Sequence, residues 1–160
     1  MVAKKKARVL FVCMGNICRS PTGEGVLKKR ADDRGLADRV EVDSAGTIAY
    51  HAGERADGRM RRAAEKRGYR LDSVARQFER ADFDRFDLIV AMDRSNLADI
   101  LSVDGSGAHE EKVRLLSDFI GGEWPRDVPD PYYGGASGFE TVYEMVRRSC
   151  QALLDRIRAG

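Results

Sequence analysis

Apolar positions along the chain fall into short continuous runs separated by longer periodic stretches. Arg8–Val12 (RVLFV) and Leu88–Met92 (LIVAM) are compact runs between polar residues, and Val40–Val42 and Val113–Leu116 are shorter ones. Runs of this length that include β-branched residues predict strands covered on both faces. Between them the period lengthens. After Pro21, Val26 and Leu27 lie on one side and Lys28, Lys29 and Arg30 on the other, which predicts a helix. Asp57–Lys66 predicts a basic, largely exposed helix stopped by Gly68, and a further helix starts at Asp93 or Ser95. From Phe139 to Ile157, Val142, Met145, Val146, Cys150, Leu153, Leu154 and Ile157 recur at three- and four-residue steps, a long amphipathic helix. Ser44–Thr47 and the stretch on to Gly53 predict loop, as does Gly121–Gly138, with three prolines and five glycines.

Strands alternating with helices imply right-handed crossovers and a parallel sheet buried on both sides. The expectation is an open three-layer α/β fold of four parallel strands with helices on both faces. Ligands of such folds bind beyond the carboxyl ends of the strands, and the first such end carries Cys13.

A chain of 160 residues supplies one good core, so residues 1–160 are expected to form a single domain, with 1–6 as a flexible tail. The 28 basic and 26 acidic residues nearly cancel, which argues against a nucleic-acid groove and makes any anion specificity local. No window approaches the roughly 20 apolar residues that cross a bilayer, and the apolar stretch behind Lys4–Lys6 is too short for a signal peptide, so no membrane partner is expected. Three cysteines, an odd number without framework spacing, fit a reducing compartment and hence the cytoplasm. Cys13 and Cys18 form no paired CxxC site, and His51 and His109 lie far from them, so neither metal nor cofactor is expected.

The segment Cys13-Met14-Gly15-Asn16-Ile17-Cys18-Arg19-Ser20-Pro21 joins a buried strand to a helix N-terminus, where free amides converge and the helix dipole is positive. Amides from Met14, Gly15, Asn16, Ile17, Cys18 and Ser20 would form an anion nest. A cysteine at its rim shares the donors that hold an oxyanion, which favours the nucleophilic thiolate. A planar fork must grip the phosphoryl oxygens, and Arg19 supplies it where lysine would not. Gly15 and Asn16 tolerate the positive φ that lets the loop curl. Ser20 can donate to the thiolate and support sulfur as leaving group from a cysteinyl-phosphate. The pattern C-x5-R-S is short, and its specificity comes from the strand, loop and helix around it. The competing reading is an inert buried thiol beside a surface charge. Cys18 reads equally as a reversible disulfide partner of Cys13 or as a small loop residue; Cys150 reads as core.

Expelling a tyrosine oxygen needs a proton donor, and no histidine is near the loop in sequence. Asp130, between Pro129 and Pro131, is the candidate, against the alternative of a turn aspartate. Tyr132 and Tyr133 read as an aromatic wall for a phosphotyrosine ring or as ordinary surface aromatics.

With these residues in view, the chain resembles the low-molecular-weight protein tyrosine phosphatases along nearly its whole length. The resemblance is carried by Val12–Pro21 (VCMGNICRSP), Asp43–Ala45 (DSA), Ala91–Leu97 (AMDRSNL), Asp130–Gly134 (DPYYG) and Phe139–Tyr143 (FETVY). It implies metal-free two-step hydrolysis with Cys13 as nucleophile, Arg19 as phosphate binder and Asp130 as general acid and then base. It further implies that Asn16 holds a strained loop through a network including Ser44, and that Ser20 supports the thiolate. Tyr50, Tyr132 and Tyr133 fall where the family places substrate-facing aromatics. Ile17 stands where the related arginine phosphatases resemble one another in having threonine, which favours phosphotyrosine. Two departures stand out: Gly23 and Gly25 replace helix formers, at about 1 kcal/mol each in propensity, and Ser73 stands where the family often has histidine.

The expected partner is a phosphotyrosine-bearing protein, with inorganic phosphate or vanadate as competitive inhibitors and a monomeric enzyme. The rival within the fold is arsenate reduction, which needs a relay of further cysteines, and Arg80–Asp93 contains none. A catalytically silent phosphate-binding module would require loss of nucleophile, clamp or acid, and all three are present.

Overall fold

The computed structural model describes residues 6–122, 124–131 and 136–160. Strands β1 (Ala7–Cys13), β2 (Val40–Gly46), β3 (Leu88–Ala91) and β4 (Val113–Leu115) form one sheet in the order β2-β1-β3-β4, and every neighbouring pair is parallel. The open α/β expectation holds.

Period-two alternation along β1 divides the core. Val9, Phe11 and Cys13 join one apolar cluster, and Leu10 and Val12 join the other. The first face is covered by α1 (Arg19–Asp33), α2 (Gly58–Glu65) and α5 (Ala136–Ala159). The second is covered by α3 (Asp82–Arg85) and α4 (Arg94–Val103), through Phe83 and Ile100. Because β1 is flanked by β2 on one side and β3 on the other, the chain reverses its winding direction there, and a crevice opens at the carboxyl end of β1.

Several boundaries differ from the sequence expectation for physical reasons. Ser44–Gly46, expected as loop, extends β2 because β1 offers a partner at each position, Cys13 aligning with Gly46. The pairing runs on past both strands, with Ile48 N–H donating to Met14 O at 3.1 Å. Helix α2 buries Met60 and Ala64, so it has a core face despite its basic composition. Its first turn is capped by the Asp57 carboxylate, which accepts from Arg59 and Met60 amides. Asp93 caps α4 in the same way, and α5 begins at Ala136 rather than Phe139. Helix α3 and three short 3₁₀ turns, at Ala37–Arg39, Glu110–Lys112 and Leu116–Phe119, are too brief to leave a periodic signature.

The glycines of α1 allow close packing. A Cβ on Gly23 would lie 2.7 Å from the Phe11 ring, and one on Gly25 would lie 2.9 Å from the Arg70 carbonyl oxygen. The propensity cost of these positions is the condition for seating α1 against the sheet and the Arg70 segment.

Candidate active site

The crevice at the end of β1 holds a small cleft lined by Cys13, Met14, Gly15, Ile17, Cys18, Arg19, His51 and Asp130. Helix α1 starts beside it without a side-chain cap, so its first amides are left for the loop. The Ser20 amide points at Cys13 Sγ from 3.4 Å, and Ser20 Oγ lies 3.0 Å from the same sulfur. Cys13 is buried at the cleft floor.

Asn16 is the one non-glycine residue among those described with positive φ, at 58°. The strain is held by its side chain. Asn16 Nδ2 donates to Ser20 Oγ and Ser44 Oγ, each at 2.9 Å, and Oδ1 accepts from the Arg76 amide at 3.0 Å. Asn16 and Ser44 therefore meet as the resemblance implied. Gly15 differs from expectation: its φ is not positive. Its value is spatial, since a Cβ would stand 3.0 Å from His51 Cδ2. Gly46 is likewise required, because a Cβ there would press to 2.7 Å on the Met14 carbonyl oxygen behind the loop.

Arg19 is almost fully buried and directed by oxygens from two other segments. Its guanidinium donates to Asp93 Oδ2 at 2.6 Å and to the Val128 carbonyl at 3.1 Å, and lies 3.5 Å from Asp130 Oδ2. Burial works against its charge, but Cys13, Asp93 and Asp130 outweigh that, and the pKa rises above the ordinary arginine value. The segment carrying Asp130 is pinned to the sheet. Val128 N–H donates to Met92 O at 2.9 Å, and Asp127 accepts from the amide and the guanidinium of Arg94. Asp130 itself stays partly open, its side chain 26% exposed.

Burial, then the charges of Asp57, Cys13 and Asp130, push the Cys18 thiol far above its ordinary range. All three cysteines are free thiols. Tyr50 does not line the cleft: it is 82% exposed and packs edge-on against His51, with ring centroids 4.8 Å apart. Tyr132 and Tyr133 lie outside the described residues.

Sequence reasoning missed His51, whose Nδ1 sits 2.8 Å from Glu54 Oε2, along with the Arg19 partners Asp93 and Val128. Asp93 lies within the AMDRSNL segment, but nothing in its spacing points to Arg19, 74 residues away. Ser73 makes no side-chain hydrogen bond, and the loop is braced by the Arg76 amide.

A thiol at the end of the central parallel strand, backed by uncapped helix amides and a buried arginine, is an α/β arrangement whose chemistry suits a tetrahedral anion held against sulfur. The family model for low molecular weight phosphotyrosine protein phosphatases matches residues 8–160. A Streptomyces coelicolor low molecular weight protein-tyrosine-phosphatase is 46% identical over 155 residues, covering 94% of this chain and 93% of its own. A protein tyrosine phosphatase from Entamoeba histolytica, solved with Hepes in its active site, superposes with a TM-score of 0.91 at 40% identity, covering 97% of this chain and 99% of its own. A Drosophila arginine phosphatase superposes with a TM-score of 0.86 at 34% identity, covering 92% and 96%. The chain belongs to the low molecular weight phosphotyrosine protein phosphatase family, a family of hydrolases.

Proposed function

We propose that this protein is a single-domain, cytoplasmic, monomeric phosphatase that hydrolyses phosphotyrosine through a cysteinyl-phosphate. One observation carries the reading: a buried thiol with the Ser20 hydroxyl 3.0 Å away and the Ser20 amide donating to it from 3.4 Å, in a cleft shared with Arg19 and Asp130. In the first step the Cys13 thiolate attacks phosphorus and the P–O bond to the tyrosine breaks. Asp130 protonates the departing oxygen, while Arg19 and the loop amides hold the equatorial oxygens. In the second step water attacks phosphorus and the P–S bond breaks. Asp130 takes the proton from water, and sulfur leaves as a thiolate stabilised by Ser20. The 3.5 Å gap between Arg19 and Asp130 supports the division of labour, because a contact that long is readily exchanged for a phosphoryl oxygen.

Ile17, on the cleft wall, supports an aryl substrate: its apolar side chain suits a ring and gives a guanidinium no hydrogen bond. Three free thiols fit a reducing cytoplasm. Arsenate reduction lacks a relay, since Cys150 is fully buried on α5. The test compares a phosphotyrosine peptide, a phosphoarginine peptide and arsenate with wild type, Cys13→Ser and Asp130→Ala. Turnover confined to phosphotyrosine, abolished in Cys13→Ser, slowed at phosphoenzyme formation in Asp130→Ala and competitively inhibited by phosphate and vanadate is expected. Full turnover in Cys13→Ser would remove the covalent route.

A further inference from the structure

Glu24 is a buried carboxylate on α1 that the proposed chemistry does not use. One oxygen, Oε1, accepts the Ser44 hydroxyl at 2.7 Å, and the other, Oε2, accepts Lys28 Nζ at 2.9 Å. From there the protons can be followed one by one. Ser44 gives its single proton to Glu24, so its oxygen faces Asn16 as an acceptor. Asn16 spends both Nδ2 protons, on Ser44 and on Ser20, and the Arg76 amide at Oδ1 prevents the side chain from turning over. Ser20 Oγ, already accepting from Asn16, has its own proton left to direct at Cys13 Sγ at 3.0 Å or at the Ala45 carbonyl at 3.4 Å. The shorter contact lies toward sulfur.

We infer that Glu24 is a positioning residue that, by drawing off the Ser44 proton while the Arg76 amide fixes Asn16, completes the direction of this chain, so that the Ser20 proton faces sulfur when the thiolate must leave. The inference rests on the cysteinyl-phosphate reading above. Direction matters because each hydroxyl here has one proton and a choice of acceptors, and a carboxylate at the far end removes the choice. Glutamine at position 24 keeps the size but not the polarity. Lys28 would take its carbonyl oxygen, turning the NH2 toward Ser44, whose proton would then lack a carboxylate to meet.

The test measures the burst rate, kcat and the inhibition constant of inorganic phosphate on p-nitrophenyl phosphate for Glu24→Gln, Ser44→Ala, Ser20→Ala and the Glu24→Gln/Ser20→Ala pair. The expected result is a kcat about tenfold lower in Glu24→Gln, the effect of losing one charged hydrogen bond, with phosphate inhibition changed less than about twofold. The paired variant should be no slower than Ser20→Ala alone, because both changes cut one chain. Additive losses, or an unchanged kcat in Glu24→Gln, overturn the inference. Should Glu24→Gln fail to fold, Ser44→Ala cuts the chain and leaves the Glu24–Lys28 pair in place, so an unchanged kcat there overturns it equally. Cys13→Ser separates the two levels: an inactive Cys13→Ser beside a normal Glu24→Gln removes only the role of Glu24, whereas an active Cys13→Ser removes the underlying mechanism and this inference with it.

Discussion

Asp93 divides its carboxylate between two tasks, and two substitutions separate them. Oδ2 accepts from the Arg19 guanidinium at 2.6 Å, and Oδ1 accepts the Asn96 amide at 2.7 Å as the cap of α4. Removing one partner of a fully buried ion pair costs about 3–5 kcal/mol. The figure is lower here, because Asp93 is 20% exposed and Arg19 keeps the Val128 carbonyl and Asp130. Loss of the charge-assisted bond is then about 2 kcal/mol, and loss of the cap about 1 kcal/mol. Asparagine caps helices well but brings no charge to Arg19, so Asp93→Asn should lose about 2 kcal/mol and Asp93→Ala about 3 kcal/mol. Urea unfolding at pH 7, with the slope checked for constancy, reads both values. The same variants should raise KM for aryl phosphates, since the guanidinium loses its shortest anchor. An Asp93→Asn protein within about 0.5 kcal/mol of wild type, or an alanine variant no worse than the asparagine one, would refute the division.

Three further outcomes follow from the same structure. Gly23→Ala should destabilise the protein by about 1–3 kcal/mol although helix propensity alone favours alanine, because the new methyl meets the buried Phe11 ring; a gain in Tm would mean that the ring yields freely. Iodoacetamide at pH 8 should label Cys13 and spare the other two thiols, since burial holds Cys18 far above its ordinary range and pushes Cys150 up to about 12; peptide mass spectrometry showing equal labelling of Cys13 and Cys18 would contradict this. Hydrogen bonds from Arg147 and then Arg148 depress the Glu144 carboxyl to about 2, so its small contribution is present above the unfolded value of about 4.3 and fades as pH falls toward 2. Glu144→Gln should therefore lose no more than about 0.5 kcal/mol at pH 7 after solvent screening, and the gap to wild type should close in acid; a gap that widens below pH 4 would reverse the sign.

Local chemistry sufficed for the strands, the long helices and the loop joining Cys13 to Arg19. Apolar runs, periodicity and a cysteine and arginine six residues apart are properties of neighbouring residues, written directly into the order of the chain. Asp130 is a candidate in the sequence because the expected reaction needs an acid and two prolines mark its loop. Tertiary structure decided what lies far apart in sequence: the Asp93 and Val128 oxygens that orient Arg19, the Arg76 amide that holds Asn16, His51 on the cleft wall, and Glu24 behind Ser44. It also changed the meaning of Gly15, which serves close approach and not a positive φ, and of Gly23, whose cost in helix propensity goes with close packing on Phe11. A hydrogen-bond partner 60 or 100 residues away leaves no periodic trace, because the fold alone sets which segments touch. The sequence therefore marked the candidate reacting groups, and the packing of the sheet determined which groups hold them in place.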